Sequence, residues 1–195
     1  DAFEHYAEVC FEAFGDRVKY WLSINEQNMQ IVYGDWLGVD KGCDNWFKDK
    51  WDINHIMNLC HAKAVIACHE LVDGGKIGPV PGYWQENDIH PNIQDGDMEL
   101  IKQAKIDYFA LNCYRSNVAK HAPHDSKEVT LALNKSGHKG EFIYPNYPGL
   151  YALDANPFVE TTDWDWEIDP VAMRYMLRYV WDHYHLPMII TENGF

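Results

Sequence analysis

Two short apolar runs each end at a glutamate, and this constrains the chain more than anything else in it. Tyr20-Trp21-Leu22-Ser23-Ile24 leads into Asn25-Glu26, and Met188-Ile189-Ile190 leads through Thr191 to Glu192. Runs of this length, the second with Pro187 ahead of it and Asn193-Gly194 behind, read as buried parallel strands followed by turns. Strands that stop on a carboxylate bring acidic groups together at the C-terminal face of an α/β barrel. Taken singly, each glutamate is better read as a solvated charge at the start of a loop. The pair is harder to explain that way.

Charge narrows the class. Sixteen basic against 30 acidic residues give a net charge of −14. A nucleic-acid partner wants a basic stripe, and an anionic membrane surface wants the same, so neither is expected. No apolar run reaches the length that spans a bilayer. The 195 residues, 47% of them hydrophobic, have the length of one domain with a substantial core. Five cysteines, Cys10, Cys43, Cys60, Cys68 and Cys113, form no close pairing pattern and suit a reducing cytoplasm.

Helix signals alternate with the strands. Phe3, Tyr6, Ala7, Cys10, Phe11 and Phe14 mark one face of a helix over 2–14, ended by Gly15-Asp16. That face should pack on the strand from Val18 to Ile24. Gly34 to Lys50 reads as a long loop, and a helix over 52–72 is predicted with Asp52 as its cap. This helix carries His55, Cys60, His61, Cys68 and His69, but their spacing is not that of a zinc site, so no metal is expected. Lys76 to Val80 is the next strand, Asp97 to Ala104 a short helix, and Asp107 to Leu111 a strand ending in Asn112-Cys113-Tyr114. Residues 116–162 show no period and read as loop. Asp169 then caps a helix with Pro170 at its first position. Recurring strand–helix units place the chain in the α/β class with parallel strands.

A pair of carboxylates is the apparatus of glycoside hydrolysis, and here the chain resembles a known family. Trp21-Leu22-Ser23-Ile24-Asn25-Glu26-Gln27-Asn28 and Ile189-Ile190-Thr191-Glu192-Asn193-Gly194 resemble the two signatures of glycoside hydrolase family one. His55 to Val65, and Asn112-Cys113-Tyr114, are similar to further stretches of it. The resemblance implies a portion of a (β/α)8 TIM barrel, about strands four to seven, as one catalytic domain over 1–195. A crossover expected between Val80 and Pro91 is too short for the family pattern, which points to an omitted segment near 86–90.

The same resemblance implies the roles. Glu26 would be general acid/base and Glu192 the nucleophile of a retaining β-glycosidase. Tyr114 would hydrogen-bond Glu192, Asn25 would hold the sugar 2-hydroxyl, Asn112 would line the floor, and Trp166 would line the leaving-group side. No cofactor is implied. The Gln27-Asn28, Asn156-Pro157-Phe158 and Cys113-Tyr114-Arg115-Ser116 stretches look closer to the 6-phospho-β-glucosidase branch than to plain β-glucosidases or β-galactosidases. An inactive sugar-binding or structural barrel piece is the alternative from another class. The expected partner is a small-molecule β-glycoside in the cytoplasm, with self-association into a homo-oligomer left open.

Overall fold

The computed structural model describes residues 2–32, 34–80, 100 and 103–193. They fall into two compact units, Asp1–Asn112 with Leu186–Thr191, and Cys113–His185 with Glu192–Phe195.

The first unit opens with helix α1 (Ala2–Phe14), which buries Ala7 and Phe11. Phe11 meets Trp21 edge to face at 4.8 Å, so the helix does pack on the strand that follows it, here β1 (Tyr20–Asn25). A short helix, α2 (Gln27–Val32), follows β1, and a second, α3 (Gly34–Leu37), lies within the Gly34–Lys50 stretch that reads as loop in the sequence. The long helix α4 (Trp46–Leu71) covers α1 and supplies Ala64, Val65, Ala67 and Cys68 to the core.

Helix α4 begins six residues before the Asp52 start expected from sequence. Asn45 precedes it, and the Asp49 carboxylate reaches back to accept the Asn45 N–H at 3.1 Å. The polar, tryptophan-rich composition of 46–51 hid this turn, because its apolar periodicity starts only at Ile53. Beyond α4, Gly74 adopts a φ of 66°, a left-handed turn into β2 (Lys76–Val80).

Strands β1 and β2 are parallel, pairing Tyr20 with Lys76, Trp21 with Ile77 and Leu22 with Gly78. The register then slips, and Asn25 lies opposite Val80. Three steps along β1 match two along β2, a bulge placed just ahead of Glu26. Strand β3 (Phe109–Asn112), buried throughout, follows β2. Asp107 locks their entry by accepting from Ile77 N at 3.0 Å, Lys76 Nζ at 2.8 Å and His69 Nε2 at 2.8 Å. Burial opposes ionisation of Asp107, but these three donors outweigh it and hold its pKa below the usual carboxylate value.

In the second unit β4 (Val118–His121), β5 (Asn146–Tyr147) and β6 (Tyr151–Asp154) form an antiparallel sheet in the order β4-β6-β5. The sequence predicted a loop over 116–162. Strands of two to four residues are too short to show a period of two, which is why the sheet was not legible. Helix α5 (Pro170–Tyr184) starts as predicted, with Asp169 accepting from Val171 N and Ala172 N at 3.0 Å each.

The last strand, β7 (Met188–Glu192), pairs with β3 and ends on Glu192. Its expected burial is not found: Ile189 and Ile190 are 39% and 37% exposed. Among the described residues β3 is its only strand partner, so half of its ladder is unpaired. The predicted helix over 97–104 and the segment near 86–90 lie largely or wholly outside the described residues, as does Gly194. Among the described residues the strands do not close into a barrel.

Gly78 has no room for a side chain, since an added Cβ would overlap the Tyr108 carbonyl oxygen. Gly78→Ala should therefore force β2 and the start of β3 apart. We expect a loss of about 1–3 kcal/mol in urea unfolding, with an unchanged slope.

Candidate active site

In the first unit the residues singled out from sequence meet at the C-terminal ends of β1 and β3. The bulge delivers Glu26 with a left-handed φ of 46°, and its N–H donates to Val80 O at 2.7 Å. A non-glycine residue held there stores strain that the surroundings must over-determine. Asn112, 3% exposed, holds the far end of the Glu26 side chain. Its Nδ2 donates to Asn25 Oδ1 and to Glu26 Oε1, both at 3.1 Å, while its Oδ1 accepts from the Thr191 hydroxyl at 2.8 Å. Thr191 fixes which way the amide points, so Asn112 presents donors to both Asn25 and Glu26.

Behind this group, the half-buried His61 of α4 shares a 2.6 Å hydrogen bond between its Nδ1 and the Ser23 hydroxyl. Its ring therefore secures β1 to α4. Among the described residues no group of three His, Cys, Asp or Glu side chains could hold a metal ion.

In the second unit Glu192 ends its strand with its carbonyl accepting from Cys113 N at 3.0 Å. The Tyr114 hydroxyl donates to Glu192 Oε2. Trp166 stands against the Tyr114 ring, 5.2 Å between centroids at 64°. The sequence neighbours of these two aromatics were not foreseen as part of the site. Arg115 and Glu167 form a 3.9 Å ion pair in which Glu167 is fully buried. Tyr144 donates to Glu167 Oε1 at 2.7 Å, and the Arg115 guanidinium lies over the Phe142 ring at 4.0 Å. Burial, and then the bond to Glu167, push the Tyr144 phenol above its ordinary pKa. Tyr114, Arg115, Asp169, Met173 and Asn193 line a cavity of about 220 Å³.

Each unit thus carries one strand-end carboxylate fixed by a neutral hydrogen-bond donor, Glu26 in the first and Glu192 in the second. The comparison with known proteins makes this specific. The family model for glycosyl hydrolase family 1 matches residues 1–84 and 81–195, and the chain belongs to that family. It is 31% identical to the aryl-phospho-β-D-glucosidase BglC of Bacillus subtilis, over 98% of this chain and 49% of BglC. It is 26% identical to a phospho-cellobiase of Klebsiella oxytoca, over 98% of this chain and 46% of that protein. The solved family 1 β-glucosidase of Thermotoga maritima superposes with a TM-score of 0.71 at 26% identity, covering 98% of this chain and 47% of that one. The fold is thus part of a (β/α)8 barrel, and the chain spans about half the length of the curated relatives it matches.

Two measurements test this packing. Burial lowers the His61 pKa from its ordinary 6.5 to about 4, so the ring is neutral in the fold at pH 7. The unfolded chain binds the proton first as pH falls, so this contribution is complete above pH 6.5 and lost between 6.5 and 4. Urea unfolding should show a decline of up to about 3 kcal/mol across that window, and His61→Gln should remove most of it. Glu167→Gln leaves the half-buried Arg115 without this counter-charge. It should cost about 3–5 kcal/mol in the same assay, much more than a surface Glu→Gln change.

Proposed function

We propose that the protein containing this chain is a retaining β-glycosidase in which Glu192 is the nucleophile and Glu26 the general acid/base. The observation that carries the reading is that these two carboxylates have different and complementary holders. Tyr114 fixes one oxygen of Glu192, leaving the other to attack, while Glu26 receives a single neutral amide bond from Asn112.

In the first step a Glu192 oxygen bonds to the anomeric carbon as the bond to the leaving oxygen breaks, and Glu26 gives that oxygen its proton. In the second step Glu26 takes a proton from water, whose oxygen bonds to the anomeric carbon and releases Glu192. Net retention follows from two inversions, and this chemistry requires the carboxyl groups about 5 Å apart. In this scheme Asn25, whose Oδ1 accepts from the Asn112 amide, holds the 2-hydroxyl, where a hydrogen bond strengthens as the ring gains oxocarbenium character. Asn112 lines the floor, and the Trp166 ring offers a flat apolar wall for the leaving group.

The substrate we propose is a 6-phospho-β-glucoside, handled in the cytoplasm. Support comes from the motif resemblance and from relatives named as aryl-phospho-β-D-glucosidases, a phospho-cellobiase and 6-phospho-β-galactosidases. The plain β-glucosidase reading is favoured by the likeness to the solved family 1 β-glucosidase of Thermotoga maritima. We read residues 1–195 as one stretch of the catalytic domain with a segment omitted near 86–90. The family match breaks at 81–84, and the alignment to BglC runs over 235 residues, more than the chain contains, which supports that reading.

The test is hydrolysis of p-nitrophenyl β-glucoside and its 6-phosphate by the full-length protein, with the product anomer read by proton NMR. Turnover of the phosphorylated substrate with retention is expected, and Glu192→Gln should lower kcat at least about 10³-fold. Normal turnover by Glu192→Gln and Glu26→Gln would sink the mechanism. Turnover of the plain glucoside alone would replace the phosphorylated substrate.

A further inference from the structure

Glu26 owes its direction to a left-handed residue following a bulge, and the bond from Asn112 restrains only one oxygen at the far end of the side chain. Something must also fix the backbone on the other side of the turn. The next residue, Gln27, starts α2 and turns its amide toward α4. Gln27 Nε2 donates to Asn58 Oδ1 at 2.7 Å and to Asn54 Oδ1 at 2.9 Å, with Asn54 O at 3.3 Å. Asn54 is 7% exposed, so this is an interior clamp rather than a surface contact.

The clamp is part of a larger pattern. Asn54, Asn58 and His61 are spaced four and three residues apart, which puts them on one face of α4. His61 holds Ser23, which lies inside the irregular stretch between Leu22 and Asn25. Asn54 and Asn58 hold Gln27, immediately after Glu26. One polar stripe of a helix therefore grips the chain on both sides of the strained turn. A core helix would ordinarily present apolar residues at these positions, and buried amides are tolerated only when their bonds are made.

We propose that Asn54 and Asn58, acting through Gln27, are positioning residues that aim the Glu26 carboxyl at the leaving-group oxygen. The proposal rests on the reading of Glu26 as the general acid. Gln27 touches no reacting atom in this scheme. Its loss leaves the carboxyl present but misdirected, and misplacement by an ångström is enough to disable proton transfer.

Misdirection has a signature that general loosening of the fold lacks. A poor leaving group needs the proton, and a strongly activated one departs without it. The experiment compares the phenyl and 2,4-dinitrophenyl β-glycosides, 6-phosphorylated or plain according to which series the full-length enzyme hydrolyses. The ratio of the two kcat/KM values does not depend on how much of a variant is folded. Gln27→Met and Asn58→Leu should each lower kcat/KM for the phenyl substrate about tenfold or more while changing the dinitrophenyl value less than about threefold. Asn58→Asp, which keeps the acceptor, should restore the wild-type ratio.

An unchanged ratio in Gln27→Met and Asn58→Leu, with Glu26→Gln showing the leaving-group dependence, would overturn the positioning role alone. Equal loss on both substrates would do the same, marking the clamp as structural only. Absence of leaving-group dependence in Glu26→Gln itself, or of any aryl β-glycoside hydrolysis, would overturn the acid role and the proposal with it.

Discussion

The buried amide of Asn112 is the interaction on which the strand ends of the first unit depend. It sits at the end of β3, 3% exposed, and among the described residues it is satisfied by groups at the ends of two other strands: Asn25 and Glu26 at the β1 bulge, and Thr191 on β7. A buried amide with an unmade bond costs about 1–3 kcal/mol, so three strand ends are held in one mutual arrangement. The direction of the Glu26 carboxylate is thus set by a neutral group's need for partners. The parallel pairing of β1 with β2, and the close approach of β2 to Tyr108 at Gly78, bring those ends within reach.

The second unit solves the same problem with charge. Arg115 and Glu167 follow Tyr114 and Trp166 directly in sequence, so the ion pair ties together the same two chain segments whose aromatics pack on one another. The pair is not fully satisfied: Arg115 Nη1 and Glu167 Oε2 make no hydrogen bond among the described residues. Such a pair adds little net stability but penalises any arrangement that separates its members. Asp165 does similar work in the neighbouring loop. Its carboxylate accepts from Gly140 N, Glu141 N, Phe142 N and Asn134 Nδ2 at 2.7–3.1 Å, and these donors keep its pKa low against the opposing effect of burial.

What could be read from sequence was what has local form. Strands ending on Glu26 and Glu192, the apolar face of α1 and the Asp169-Pro170 start of α5 each show within a dozen residues. The closeness of Tyr114 and Glu192 was legible only through motif resemblance, because no local pattern links positions so far apart. Gln27, Asn58, Thr191 and the Arg115–Glu167 pair escaped for the same reason. Their bonds depend on register, and the one-residue slip in β1 has no sequence marker, since Ser23 and Ile24 fit a regular strand equally well. The short antiparallel sheet in 118–154 escaped because strands this brief carry no period, and the exposure of β7 because burial is a property of neighbours rather than of the strand itself.

The left-handed backbone of Glu26 sets a tension between durability and reactivity. Glycine adopts that conformation freely, whereas an ordinary side chain costs about 1–2 kcal/mol there. Mutational drift that selects only for a sturdier fold would therefore favour discarding the carboxylate at this position. If Glu26 has the acid/base role proposed for it, its persistence in any descendant of this chain would be a record of selection on the reaction, and its replacement by glycine would mark a lineage in which the fold had been kept for its shape alone.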